Sequence, residues 1–98
     1  MLDPSIWDYV IIGKSIAEFN GEDYFQFEYL RSREAVALGY EFIVEEAEDL
    51  DFSGAEAVYV DTVILNSEVE RVIYRCSQPM SVWDKCFFRL VVDEPPTD

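Results

Sequence analysis

Carboxylates dominate the side chains of this sequence that could do chemistry. Between Arg33 and Arg71 there is no lysine or arginine, but there are eleven acids: Glu34, Glu41, Glu45, Glu46, Glu48, Asp49, Asp51, Glu56, Asp61, Glu68 and Glu70. The rest of the chain carries ten acids against seven bases, so this stretch supplies most of the net charge of -14. A small domain stays soluble with a net charge of only about 2 to 8, so solubility alone does not account for the excess. A rigid row of carboxylates can occupy a site built for phosphates, and the natural partner of such a row is a basic surface.

The other reactive groups are sparse. Histidine is absent, which removes the commonest general acid/base and the commonest metal ligand. An enzyme would have to work with carboxylates, Tyr, Cys or two lysines, so no catalytic site, cofactor or metal is expected. Asp49-Leu50-Asp51-Phe52-Ser53-Gly54 matches the opening of a calcium loop, but the twelfth position is Val60 where a bidentate Glu is required. The segment therefore reads as a helix end followed by a polar turn. Cys76 and Cys86 are too few for a disulfide scaffold and read as buried free thiols. Lys85 adjoins Cys86 in sequence, but on a strand it points to the opposite face and cannot activate that thiol.

The elements that position these groups follow from periodicity and turn chemistry. At 100° per residue, Val36, Gly39, Ile43, Ala47 and Leu50 share one side of a helix over residues 33–50, with Glu34, Glu41, Glu45 and Glu48 on the other. Ser32 is its N-cap, and Val36, Ile43 and Leu50 are the residues expected in the core. Upstream, Ser15 to Phe19 and Tyr24 to Leu30 flank Asn20-Gly21-Glu22-Asp23 and read as a hairpin, with Phe25, Phe27 and Tyr29 on one face. Trp7 to Ile12 reads as a buried strand running through Gly13.

Downstream, Glu56 to Leu65, Val69 to Cys76 and Lys85 to Val92 are strand candidates that make two hairpins. A three-residue loop through Glu68 in the first places Val58, Val60 and Thr62 inward and Asp61 among the arginines. A second hairpin centred on Ser81 sets Cys76 opposite Cys86, Tyr74 opposite Phe88 and Val72 opposite Leu90. Its other face carries Arg71, Ile73, Arg75, Lys85, Phe87 and Arg89, with Trp83 near the rim. Aromatics among arginines suit single-stranded nucleic acid, but the acidic field repels a polyanion, so no direct nucleic-acid binding is expected. This sheet face is instead the candidate homodimer contact.

The expected fold class is α+β: a single domain over residues 1–92 with the order ββαβββ, an antiparallel sheet and one amphipathic acidic helix packed on it. Residues 93–98 form an acidic, proline-containing tail. Ninety-eight residues bury somewhat over ~60% of the surface of the unfolded chain, enough for one core. No signal sequence starts at Met1 and no apolar run nears ~20 residues, so a location in the cytoplasm of a bacterial host cell is expected, with no membrane partner. The function expected is that of a small acidic inhibitor, encoded by a phage or mobile element. It would occupy the basic nucleic-acid channel of a CRISPR effector or nuclease through Glu34, Glu41, Glu45, Glu48, Asp49, Asp51 and Glu56. The alternatives are a toxin-neutralising immunity protein or antitoxin, and a homo-oligomeric phage assembly protein.

Overall fold

Asn20-Gly21 fixes the first unit of the fold. Both residues take positive φ, 54° and 82°, which is the backbone of a tight hairpin turn that Asn-Gly adopts at little cost. The structure, a computed structural model, describes residues 9–49 and 55–94. In it the turn joins β1 (Tyr9–Phe19) to β2 (Glu22–Ser32) in antiparallel register, with Phe19 opposite Glu22 and Tyr9 opposite Arg31. A bulge at Ile12 interrupts β1, and the reading of Trp7 and Asp8 as strand lies outside the described residues.

The helix beginning at Arg33 is real but short. It is α1 (Arg33–Ala37), capped by Ser32, whose Oγ accepts from Ala35 N at 3.2 Å. Gly39 ends it at φ 99°, with Gly39 N donating to Val36 O and Tyr40 N to Ala35 O, both at 3.1 Å. This is the glycine stop that satisfies the last carbonyls of a helix. Residues 41–47, read from the sequence as helix, are strand β3 (Glu41–Ala47). The reason is burial: a helix would turn Phe42 and Val44 about 200° apart, so only one could reach the core. The strand buries both and leaves Ile43 half-buried on its other face; Val36, in α1, is 38% exposed, and Leu50 lies outside the described residues.

The remaining strands are β4 (Val58–Ile64), β5 (Val69–Arg75) and β6 (Phe87–Asp93). One antiparallel sheet has the order β1-β2-β5-β4, and β3 pairs with β6 in a second. The β4–β5 loop has the expected three residues: Leu65 N bonds Val69 O, and Asn66 Oδ1 accepts from the amides of Glu68 and Val69. Asp61 accordingly lies on the face that carries Arg71 and Arg75. A bulge at Val60 then reverses the alternation, so that Tyr59, not Val60, sits opposite Tyr74 and Val58 stands opposite Arg75 on the other face.

The expected hairpin about Ser81 is absent, because β6 takes β3 as its partner with Val44 opposite Leu90. Residues 76–86 instead carry the chain from one sheet to the other. The two sheets pack face to face, with Phe27 stacked on Phe88 at 5.3 Å and Tyr29 on Phe42 at 6.1 Å. Phe27, Tyr29, Phe42, Val44, Ala57 and Val72 form the core between them, with Ala35 of α1. The fold is therefore mostly β with one short helix, rather than α+β with a helix across a sheet. Each sheet supplies an apolar face, and sheet-on-sheet stacking buries both.

Candidate acidic interface

The acids expected on one helical stripe are distributed over several elements. Glu34 is exposed in the first turn of α1, an element packed against β2. Glu41 and Glu45 lie on the outer face of β3, and Glu48 and Asp49 follow it, both exposed. Glu56 is exposed in an antiparallel bridge to Glu45, which extends the smaller sheet by residues 55–57. There Glu46 N donates to Ala55 O at 2.9 Å and Ala57 N to Val44 O at 2.8 Å. Asp51 lies outside the described residues, as does most of the segment that resembles a calcium loop.

The smaller sheet groups four of the expected residues together with one that the sequence reading assigned to the tail. Across it, Glu56 neighbours Glu45, and Glu45 stands opposite Arg89, whose Nε donates to Glu45 Oε1 at 2.8 Å. At its far end Glu41 faces Asp93, two exposed carboxylates directly opposite each other. Glu48 extends the group just beyond β3. Same-face neighbours along a strand are ~6.7 Å apart and adjacent strands ~4.8 Å apart, so the acids form a grid, not the single row that a helix would present.

Among the described residues, two acids between Arg33 and Arg71 are buried, Glu46 and Glu70, as is Glu28 outside that stretch, and all three have structural partners. Glu70 accepts from Arg31 Nε at 2.6 Å, with Arg33 Nε at 3.7 Å. Glu28 accepts from Arg71 Nε at 2.7 Å. Glu46, 3% exposed, accepts from the backbone N of Ser77 at 2.7 Å and from its hydroxyl, which fastens β3 to the segment leaving β5. In sequence Glu46 resembles its acidic neighbours; only the alternation of Phe42, Val44 and Glu46 signals that it points inward.

The basic face is divided. Arg71 and Arg75 lie on the larger sheet and Arg89 on the smaller. Arg75 stacks over Tyr24 at 4.4 Å and Phe19 at 5.4 Å, and donates to Cys76 O. Lys14 donates to Cys86 O at 2.9 Å and lies over Phe25. The cations thus serve contacts within the protein and do not combine into an aromatic-basic platform.

Cys76 and Cys86 are fully buried and free. Each thiol influences the other's ionisation, although Cys76 directly follows β5 of the larger sheet and Cys86 directly precedes β6 of the smaller. They are not the cross-strand pair expected of a hairpin about Ser81, which is absent; the stacking of the two sheets brings the two residues together instead. Burial pushes both thiols above their ordinary range, so they stay protonated at neutral pH and neither is an activated nucleophile. Among the described residues no group of three or more His, Cys, Asp or Glu could hold a metal ion, and no helix is long and apolar enough to cross a membrane. Comparison with protein-family models, curated proteins and solved structures finds no match.

Proposed function

We propose that this protein is a small acidic inhibitor, without enzymatic activity, that binds the basic nucleic-acid-binding surface of a bacterial enzyme such as a CRISPR effector or nuclease. One observation carries the reading: the bases are engaged within the protein while most of the described acids are exposed. Lys14, Arg31, Arg33, Arg71, Arg75 and Arg89, six of the seven bases, all contact protein carbonyls, rings or carboxylates. Glu41, Glu48, Glu56 and Asp93 are exposed on or beside the smaller sheet. A surface so arranged attracts cationic partners at long range and repels nucleic acid itself.

Under this reading the protein meets its target in the bacterial cytoplasm and competes with DNA or RNA for it. Glu41, Glu48, Asp49 and Glu56 make the primary contacts, with Glu45, Glu34 and Asp51 extending them. The test reverses Glu41, Glu48 and Glu56 to Lys and leaves Glu45 to hold Arg89. A target captured from bacterial lysate by the wild type is assayed for nucleic-acid binding with each protein present, at two salt concentrations. The expected result is competition by the wild type, loss of competition by the triple variant, and weaker inhibition at high salt, since exposed charges are screened beyond about 8 Å at physiological ionic strength. A captured target that loads nucleic acid equally well with or without the protein overturns the reading.

A further inference from the structure

The larger sheet ends in a strand whose outer edge has an unusual symmetry. Among the described residues β1 pairs with β2 alone, and it exposes Ile11 by 52%, Ile12 by 50% and Ile16 by 57%. A long apolar edge is a template for another strand, and proteins blunt such edges with bulges and lysines. β1 has both devices, a bulge at Ile12 and Lys14. The bulge and the Asn20-Gly21 turn leave Gly13 to Phe19 as an uninterrupted edge, and Ile16 is its midpoint.

We infer that two copies of this chain pair antiparallel through the β1 edges, with Ile16 on the twofold axis, joining two four-stranded sheets into one of eight strands. In that register Lys14 of one copy meets Glu18 of the other, twice by symmetry. Ser15 meets Ala17 and Gly13 meets Phe19, whose ring covers the bare glycine backbone. Ile16 meets its own symmetry mate, and no like charges face each other across this seven-residue window. Shifting the axis to Lys14 would set two lysines in contact, so the charge pattern selects one register.

Independent support comes from the needs of Glu18. Within its own chain it stands directly opposite Asp23, a like-charged neighbour. Lys14 lies four residues along the same strand, ~13 Å away, too far to pair with it. The second copy brings a lysine to this carboxylate. Lys14 can make the new contact while it donates to Cys86 O, because an ammonium has three donors. This contact is distinct from the sheet-face dimer expected from the sequence, since it uses backbone edge groups and the β1 side chains, with Arg71 and Arg75 playing no part. It also does not depend on the acidic interface, which lies on the other sheet.

The test is sedimentation equilibrium of the full chain over a dilution series, with circular dichroism checking the fold of each variant. The wild type is expected to dimerise. Glu18→Lys, a change at an exposed side chain, sets lysine against lysine and should weaken the dimer by about tenfold or more, from two lost attractions and two new repulsions. Lys14→Glu should weaken it similarly, and the double variant K14E/E18K should restore it, because the pairs are merely exchanged. Ile16→Lys, which puts two charges on the axis, should leave a folded monomer. A wild type that is monomeric throughout overturns the inference, as does a dimer that folded E18K and I16K leave intact. If K14E fails to fold, E18K and I16K still decide the matter.

Discussion

The two sheets, the buried Glu46 of β3 aside, use the same carboxylate chemistry in opposite ways. In the larger sheet Glu28 and Glu70 are nearly buried, and each is bonded to an arginine on a neighbouring strand. In the smaller sheet Glu41 faces Asp93 across the strands, and Glu45 is held by an arginine that is itself half exposed. Burial separates the two cases. An ionised carboxylate leaves water only if a charge-assisted hydrogen bond replaces its hydration, so a buried acid recruits donors, an arginine for Glu28 and Glu70 and Ser77 for Glu46, and becomes structural. An exposed acid needs no such donor and stays available to a partner. A net charge therefore overstates the available interface until its structural members have been set aside.

Removing one carboxylate from each sheet tests that contrast, and it should give the largest effect. Burial is the largest influence on the pKa of Arg31 and works to lower it, yet the hydrogen bond and charge of Glu70 together with Tyr29 outweigh it and leave the pKa raised. Glu70→Gln takes away that partner and strands a largely buried guanidinium. We expect a loss of about 2 to 3 kcal/mol in urea unfolding, against about 0.5 kcal/mol or less for Glu48→Gln at its exposed position. Equal losses at the two sites would erase the distinction between structural and available acids.

The layer shared by the sheets provides the next test. Tyr29 is fully buried, and its hydroxyl finds no hydrogen-bond partner of good geometry among the described residues. Burial pushes its pKa up to about 12. Tyr29→Phe removes a polar atom that was desolvated without compensation, and should stabilise the fold by up to about 1 kcal/mol at neutral pH. The pH dependence has a definite sign. A group whose pKa is raised on folding holds its proton longer in the folded state, so the wild type loses stability as pH rises from the unfolded value of about 10 toward 12. The advantage of the Phe variant should widen over that window, measured by denaturant unfolding at successive pH values. A gap that stays constant would mean that Tyr29 does not titrate differently in the folded and unfolded states. Tyr74 is also shifted upward by burial, so part of the alkaline loss should remain in the variant.

Legibility in the sequence followed the agreement between local and long-range signals. The β1–β2 hairpin was readable because Asn20-Gly21 and the alternation of Phe25, Phe27 and Tyr29 point the same way. The β4–β5 loop was readable for a similar reason. Residues 41–47 misled because acids and apolar residues recur there at spacings compatible with both periods, and the decision lay in the glycine stop at Gly39 and in the need to bury Phe42 and Val44 together. Helix propensity is a weak prior, and tertiary burial overrode it. The partner of β6 could not be read locally at all, since β3 is some forty residues distant and a hairpin is the default for neighbouring strands. For the candidate interface, the acidic stretch was visible, but the withdrawal of Glu70 into a structural role depended on the long-range pairing of β5 with β2, and that of Glu46 on residues 41–47 being strand.

The smallest expected effect carries the sharpest sign. Glu41 stands opposite Asp93 on the exposed face of the smaller sheet, and like charges facing across a strand pair are destabilising. Glu41→Lys turns that repulsion into attraction, so it should raise stability by about 0.2 to 1 kcal/mol, with the gain shrinking as salt rises. Under the proposed function the same substitution weakens binding to a basic target. A residue serving the fold loses stability when replaced, whereas one kept for a partner at the expense of the fold gains it. Unfolding measurements on the single variant at low and high salt distinguish the two. A destabilised Glu41→Lys protein would show that Glu41 is held by the fold, which would move it from the available acids of the smaller sheet to the structural group that contains Glu28 and Glu70.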